Sequence, residues 1–145
     1  MGRIMAIDYG QKRVGIAVSD ENQLIAGALT TIASAQVMDF LQKYTAQEVV
    51  DLFVVGEPKQ INNEASQSTK YIEPFLKQLK KMFPTIPIVR IDERFTSKIA
   101  FQTMIDAGLS KKARQNKALV DSISATLILQ SYMQSIDLRK ERNKI

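Results

Sequence analysis

The chain contains no histidine and no cysteine, so any acid, base or metal chemistry falls to its carboxylates. Imidazole ligands, histidine-based triads, thiolate metal sites, cysteine nucleophiles and disulfides are all excluded. A few acids stand in unusual settings. Asp8 interrupts MAIDYGQKRVGIAVSD, residues 5–20, between two runs of small and branched apolar residues. A carboxylate withdrawn from water is costly unless it is paired, hydrogen-bonded or bound to a metal. Asp8 therefore needs a partner. Glu57 closes the apolar run DLFVVGEP, Asp92 and Glu93 close IPIVRIDERF, and Asp121 lies inside LVDSISATLILQ beside the small residues Ser124 and Ala125. Carboxylates from distant parts of a chain suit hard divalent cations such as magnesium or manganese. Two such ions about 3.5–4 Å apart can activate a water and stabilise the leaving oxygen in phosphodiester hydrolysis.

Such a reaction also needs cations to hold the phosphates. Candidates are Lys12 and Arg13 after the first Gly, Arg94 beside Glu93, and Lys111, Lys112, Arg114 and Lys117 in the basic stretch near residue 111. The net charge is +5; residues 1–110 carry 12 Lys and Arg against 12 Asp and Glu, while residues 111–145 carry eight against three. The excess positive charge thus sits in the last quarter, and a phosphate-rich partner fits it. Each signal taken singly has a plainer reading. An acid at a strand end is more often a turn or cap residue, and alternation turns Asp92 away from Glu93. Arg94 also fits a structural ion pair with Glu93, and KKARQNK also fits a solvated loop. Their joint occurrence on the right elements is what points to a site.

Those elements follow from periodicity. Residues 3–9 and 14–18 are apolar runs separated by GQKR, a hairpin signature, and a third strand is expected from Leu24 after the turn SDENQ. From Ser34, read as an N-cap, Val37, Phe40, Leu41 and Tyr44 recur at helical spacing. A strand covered on both faces is expected over 51–58. A helix over 64–83 places Ile72, Phe75, Leu76 and Leu79 on one side, with a kink or restart expected at Pro74. A fifth strand is expected over 86–95, and a short helix over 96–108 capped by Thr96 or Ser97 and ended by Gly108. A long helix over about 118–138 precedes a fraying charged tail. The order predicts an α/β fold: a five-stranded mixed sheet, a three-stranded meander and then two parallel strands, with helices on both faces. Acids at the carboxyl ends of such strands are well placed for a ligand.

At 145 residues, 45% of them hydrophobic, the chain suits one domain with a substantial core. That domain is expected over 1–138, followed by a basic tail over 139–145. No apolar run reaches membrane-spanning length, and MGRIMAIDYG enters a strand pattern at once rather than a signal peptide. A cytoplasmic protein without membrane partners is expected.

Four blocks, IDYGQKRVGIAVSD, VVGEP, DERFTS with a following Ala100, and KALVDSISATLILQSYM, occur in an order and spacing that resemble the YqgF family of Holliday junction resolvases, also described as pre-16S rRNA nucleases. The resemblance spans about residues 3–133. It implies an RNase H-like fold related to the RuvC resolvases, a divalent-metal nuclease site, a cytoplasmic location and a role in maturing the 5′ end of 16S ribosomal RNA; the carboxylate chemistry above points to magnesium or manganese, as two ions. By this resemblance Asp8 matches the first-strand acid, Glu93 the acid of the DER block and Asp121 the acid of the last helix, while Lys12 and Arg13 match the basic pair. The chain departs from the pattern at Glu57, where relatives have an apolar residue before the Pro, and in PKQINNEAS, which lacks the Asp-Gly of many relatives. Related resolvases take one acid from that strand, so Glu57 is a further candidate for the site.

Three functional readings result. The first is a metal-dependent endonuclease acting on pre-rRNA or branched DNA, as a monomer or weak homodimer. The second keeps the fold as a non-catalytic nucleic-acid or ribosome-precursor binding factor. The third is a phosphotransferase, since Asp-x-Gly on a strand before a hairpin also occurs in actin-like kinases. Those proteins close two lobes around a nucleotide, and this chain is long enough for one.

Overall fold

A computed structural model of the chain describes residues 2–10, 12–57, 69–92 and 117–142. Three antiparallel strands, β1 (Arg3–Tyr9), β2 (Arg13–Ser19) and β3 (Ala26–Ala33), are followed by a 3-10 turn (Ser34–Gln36), α1 (Val37–Gln47), β4 (Val50–Glu57), α2 (Thr69–Met82), β5 (Ile88–Asp92) and α3 (Lys117–Arg142). The sheet order is β3-β2-β1-β4-β5, with β1, β4 and β5 mutually parallel. This is the mixed five-stranded sheet that the meander and the later alternation predict.

Alternation along the strands divides the core into two layers. Met5, Ile7, Val14, Ile16, Phe53 and Val55 face one side, where Val37 and Leu41 of α1 and Ile72, Phe75 and Leu79 of α2 cover them. Ile4, Ala6, Ala17 and Val54 face the other, against Ala125, Ile128 and Leu129 of α3. Helices thus cover both faces. The small side chains of Ala6 and Ala17 let α3 lie close to the sheet, and it crosses β2, β3 and β1 to reach β4.

Several boundaries differ from the sequence reading, each for a local reason. β3 begins at Ala26 rather than Leu24, because the Asp20 carboxylate accepts hydrogen bonds from the N–H groups of Leu24 (2.6 Å) and Ile25 (2.9 Å) and holds both in the turn. Ser34 is not the N-cap of α1: it opens the 3-10 turn, and Gln36 occupies the cap without a side-chain bond. The α2 helix runs through Pro74 without a restart. The backbone bond lost there is offset by Ile72, Phe75 and Leu79, all buried. β5 starts at Ile88 because the Ile86 N–H closes a turn onto the Phe83 carbonyl at 3.2 Å. α3 continues to Arg142, so residues 139–142 are helical rather than a frayed tail. The expected helix over 96–108, with Thr96, Ser97 and Gly108, lies outside the described residues, as do residues 64–68 of the expected second helix. Among the described residues no helix is long and apolar enough to cross a membrane.

Candidate functional site

The β1–β2 hairpin positions the first acid. Tyr9 pairs with Val14, so the hairpin turns between them and Asp8 pairs with Gly15. Gly10 is required where it stands: its N–H donates to the Arg13 carbonyl at 2.9 Å, and a Cβ there would meet the same oxygen at 2.6 Å. The Ser34 N–H donates to the Lys12 carbonyl at 3.0 Å, which ties this loop to the end of β3. The loop that carries Lys12 and Arg13 is therefore pinned beside Asp8.

Asp8 follows Ile4 and Ala6 on the face covered by α3, and it is half-buried. Across from it on β2 stands Gly15, and Ile7 pairs with Val55 on β4, so the next residues along those parallel strands are Asp8 and Gly56. Glycine on a strand often marks a place where a ligand or another backbone comes close. Arg13 has the strand parity of Gly15 and Ala17 and so belongs to Asp8's face, whereas Lys12 is exposed in the loop. Beneath, on the opposite face, the Tyr9 ring stacks on Phe75 of α2 with centroids 4.3 Å apart and planes 19° apart, which fixes the carboxyl end of β1.

The direction of α3 decides where Asp121 falls. Its later residues Gln130, Met133 and Gln134 share a groove with Leu24, Ile25 and Ala26. Ala26 pairs with Ser19, whose Oγ accepts the Ile4 N–H at 2.9 Å, so that groove lies at the amino end of β1. α3 therefore runs antiparallel to β1. Position 121 lies four residues before the buried Ala125, one turn nearer the carboxyl end of β1, where Asp8 stands.

The remaining candidates divide. Glu57 and Asp92 are paired neighbours at the ends of β4 and β5, and their side chains lie outside the described residues. Lys117 opens α3. Glu93, Arg94, Lys111, Lys112 and Arg114 lie outside the described residues, as does the side chain of Asp121. Among the described residues no three acids gather closely enough to hold an ion; Asp8 is the one expected metal ligand whose side chain is among them.

The perturbed groups belong to the opposite end of the sheet and are structural. The Ile25 and Leu24 N–H groups hold the Asp20 carboxyl below its usual range, and burial raises the Tyr44 phenol. Arg3 there donates to the Ser19 carbonyl at 3.0 Å and to Glu48 at 3.4 Å.

Gly15 is the residue that the sequence reading overlooked. A loop of GQKR already fixes the pairing of 9 with 14 and of 8 with 15, so counting outward from the turn would have found it.

Comparison with known proteins bears on the same features. A family model described as "RuvX: Holliday junction resolvase" matches residues 2–135. A protein of Flavobacterium psychrophilum is 62% identical over 133 residues, 92% of this chain and 97% of the relative. One of Bacteroides thetaiotaomicron is 58% identical over 135 residues, 93% of this chain and 98% of the relative. Both carry the name "Putative pre-16S rRNA nuclease". Among solved structures, the Fowlpox virus resolvase in complex with Holliday junction DNA superposes with a TM-score of 0.58 at 14% identity, covering 92% of this chain and 98% of that one. Thermus thermophilus RuvC with a Holliday junction substrate gives 0.54 at 14% identity, covering 92% and 96%. At such identity the likeness shows the fold, which is RNase H-like.

Proposed function

The chain belongs to the RuvX family of Holliday junction resolvases, and on that premise we propose that it is a divalent-cation-dependent endonuclease that processes the 5′ end of pre-16S rRNA. The observation that supports this most is the antiparallel course of α3 over β1, which carries position 121 toward the strand end where Asp8 stands beside Gly15. Glu93 follows Asp92 directly in the chain.

The donor set fits the group. With no histidine or cysteine in the chain, Asp8, Glu93 and Asp121 offer hard oxygen donors, which match magnesium or manganese. When bound, a pair of such ions activates water and stabilises the leaving oxygen of a phosphodiester. The chain's own part is to hold and orient. Asp8 is fixed by its strand pairing, and Gly15 leaves its β2 flank without a side chain. Arg13 on the same face and Lys12 in the pinned loop hold the phosphate backbone, with Arg94, Lys111, Lys112, Arg114 and Lys117 extending the basic track. Glu57 at the end of β4 remains a further candidate carboxylate for the site. The protein acts as one domain, in the cytoplasm.

Four-way DNA junctions are the second substrate reading, favoured by the family description. Incubating purified wild type and Asp8→Asn with precursor 16S rRNA and with four-way junctions, with and without manganese, separates the readings. Manganese-dependent cleavage of the RNA that Asp8→Asn abolishes is expected. Cleavage of the junction alone would move the assignment to DNA, and binding of both substrates without cleavage of either would overturn the enzymatic reading.

A further inference from the structure

Two polar residues are buried among the described residues, Ser19 and Ser124, and they differ in one respect. Ser19 is satisfied: its Oγ accepts the Ile4 N–H at 2.9 Å and donates to the Asp20 carbonyl at 2.9 Å. Ser124 on α3, 5% exposed, meets no hydrogen-bond partner among the described residues. A buried hydroxyl without a partner destabilises the fold. Alanine would remove that penalty and is the better helix former, and Ala125 beside it shows that alanine fits this interface. Close packing of α3 on the sheet therefore does not by itself account for a serine.

Its place in the fold suggests a use. Ser124 lies four residues before Ile128, which packs in one cluster with Ile4 and Ala6. One helical turn, about 5.4 Å, carries it toward the carboxyl end of β1, as two strand residues, about 6.6 Å, carry Ala6 to Asp8. Ser124 thus lies one turn of α3 beyond the cluster that packs on Ile4 and Ala6, toward the end of β1 where Asp8 and Gly15 stand.

We propose that Ser124 is a positioning residue for Asp8: when the acidic site holds a divalent cation, the Ser124 hydroxyl donates a hydrogen bond to the Asp8 carboxylate and fixes its rotation. A carboxylate has about four lone-pair sites, so it can accept this bond in addition to a cation and its other partners. The inference rests on the cation-binding reading above. Hydrogen bonds of this kind to a ligating carboxylate commonly change metal affinity 10- to 100-fold.

The test compares wild type, Ser124→Ala and Ser124→Cys as full chains, reading the melting temperature against manganese concentration. Without cation, Ser124→Ala is expected to melt at or above the wild-type temperature. In both variants the manganese concentration giving half of the thermal shift is expected to rise about tenfold. The Cys variant fills the site with a slightly larger side chain that is a weaker donor, so it separates hydroxyl donation from a packing void should the Ala variant fold poorly. Wild-type manganese midpoints in both variants would overturn the role of Ser124 and leave the cation site standing. A wild type that manganese up to millimolar concentration does not stabilise would remove the cation site, and this proposal with it.

Discussion

Asp8 on β1 pairs with Gly15 on β2, so the carboxylate at the end of a buried strand has no side chain across from it on the neighbouring strand. The same hairpin sets Arg13 on that face and ends in a loop held by two backbone hydrogen bonds, Gly10 N–H to the Arg13 carbonyl and Ser34 N–H to the Lys12 carbonyl. One acid, the glycine opposite it and two cations are thus supplied by a single local unit.

The loop geometry makes Gly10 sensitive. In Gly10→Ala the new Cβ would lie 2.6 Å from the Arg13 carbonyl oxygen, a backbone atom that cannot swing aside. A loss of about 1–3 kcal/mol is expected, read as a lower midpoint in urea denaturation. An unchanged midpoint would show that the turn relaxes freely.

Ser19 offers the opposite case to Ser124. Its Oγ satisfies the Ile4 N–H inside the sheet, so Ser19→Ala strands a buried donor at a cost of about 1–3 kcal/mol. The same denaturation series should show Ser19→Ala well below wild type; equality of the two would mean that the Ile4 N–H finds another acceptor.

The turn before β3 carries a pH signature. Hydrogen bonds from Ile25 and Leu24 N–H lower the folded-state pKa of Asp20. Its contribution to stability is therefore present above the unfolded value of about 3.9 and is lost as pH falls through the folded value. Asp20→Asn removes that titration. On acidification below about pH 4, the stability gap between wild type and Asp20→Asn should narrow, and a constant gap would contradict the assignment.

Lys12 and Arg13 are assigned to phosphates, which carry no sequence information. The double substitution Lys12→Gln with Arg13→Gln should weaken binding to structured RNA of different sequences about equally, and should reduce the slope of log affinity against log salt by about 2. An unchanged slope would place the phosphate contacts elsewhere.

Much of this arrangement is legible in the sequence. β1 spans Arg3–Tyr9 as its apolar pattern implies, and the loop GQKR fixes which residues meet across the hairpin. The misses share a cause, in that local propensity yielded to contacts made elsewhere. Leu24 and Ile25 look like strand residues, yet the Asp20 carboxylate captures their N–H groups. Pro74 looks like a break, yet the apolar stripe of α2 holds the helix together across it. Residues 139–142, Arg-Lys-Glu-Arg, looked like a tail because of their charge, although each is a good helix former. The parallel register of β1 with β4 has no connecting turn to fix it, so the pairing of Ile7 with Val55 is not readable from the chain.

The central claim is that Asp8 shares a divalent cation with Glu93 and Asp121, and calorimetric titration of manganese into wild type and Asp8→Asn tests it most directly. Saturable binding by the wild type is predicted, weakened at least about a hundredfold in Asp8→Asn, with both proteins giving the same circular dichroism spectrum. Equal manganese affinity in the two proteins would contradict the claim.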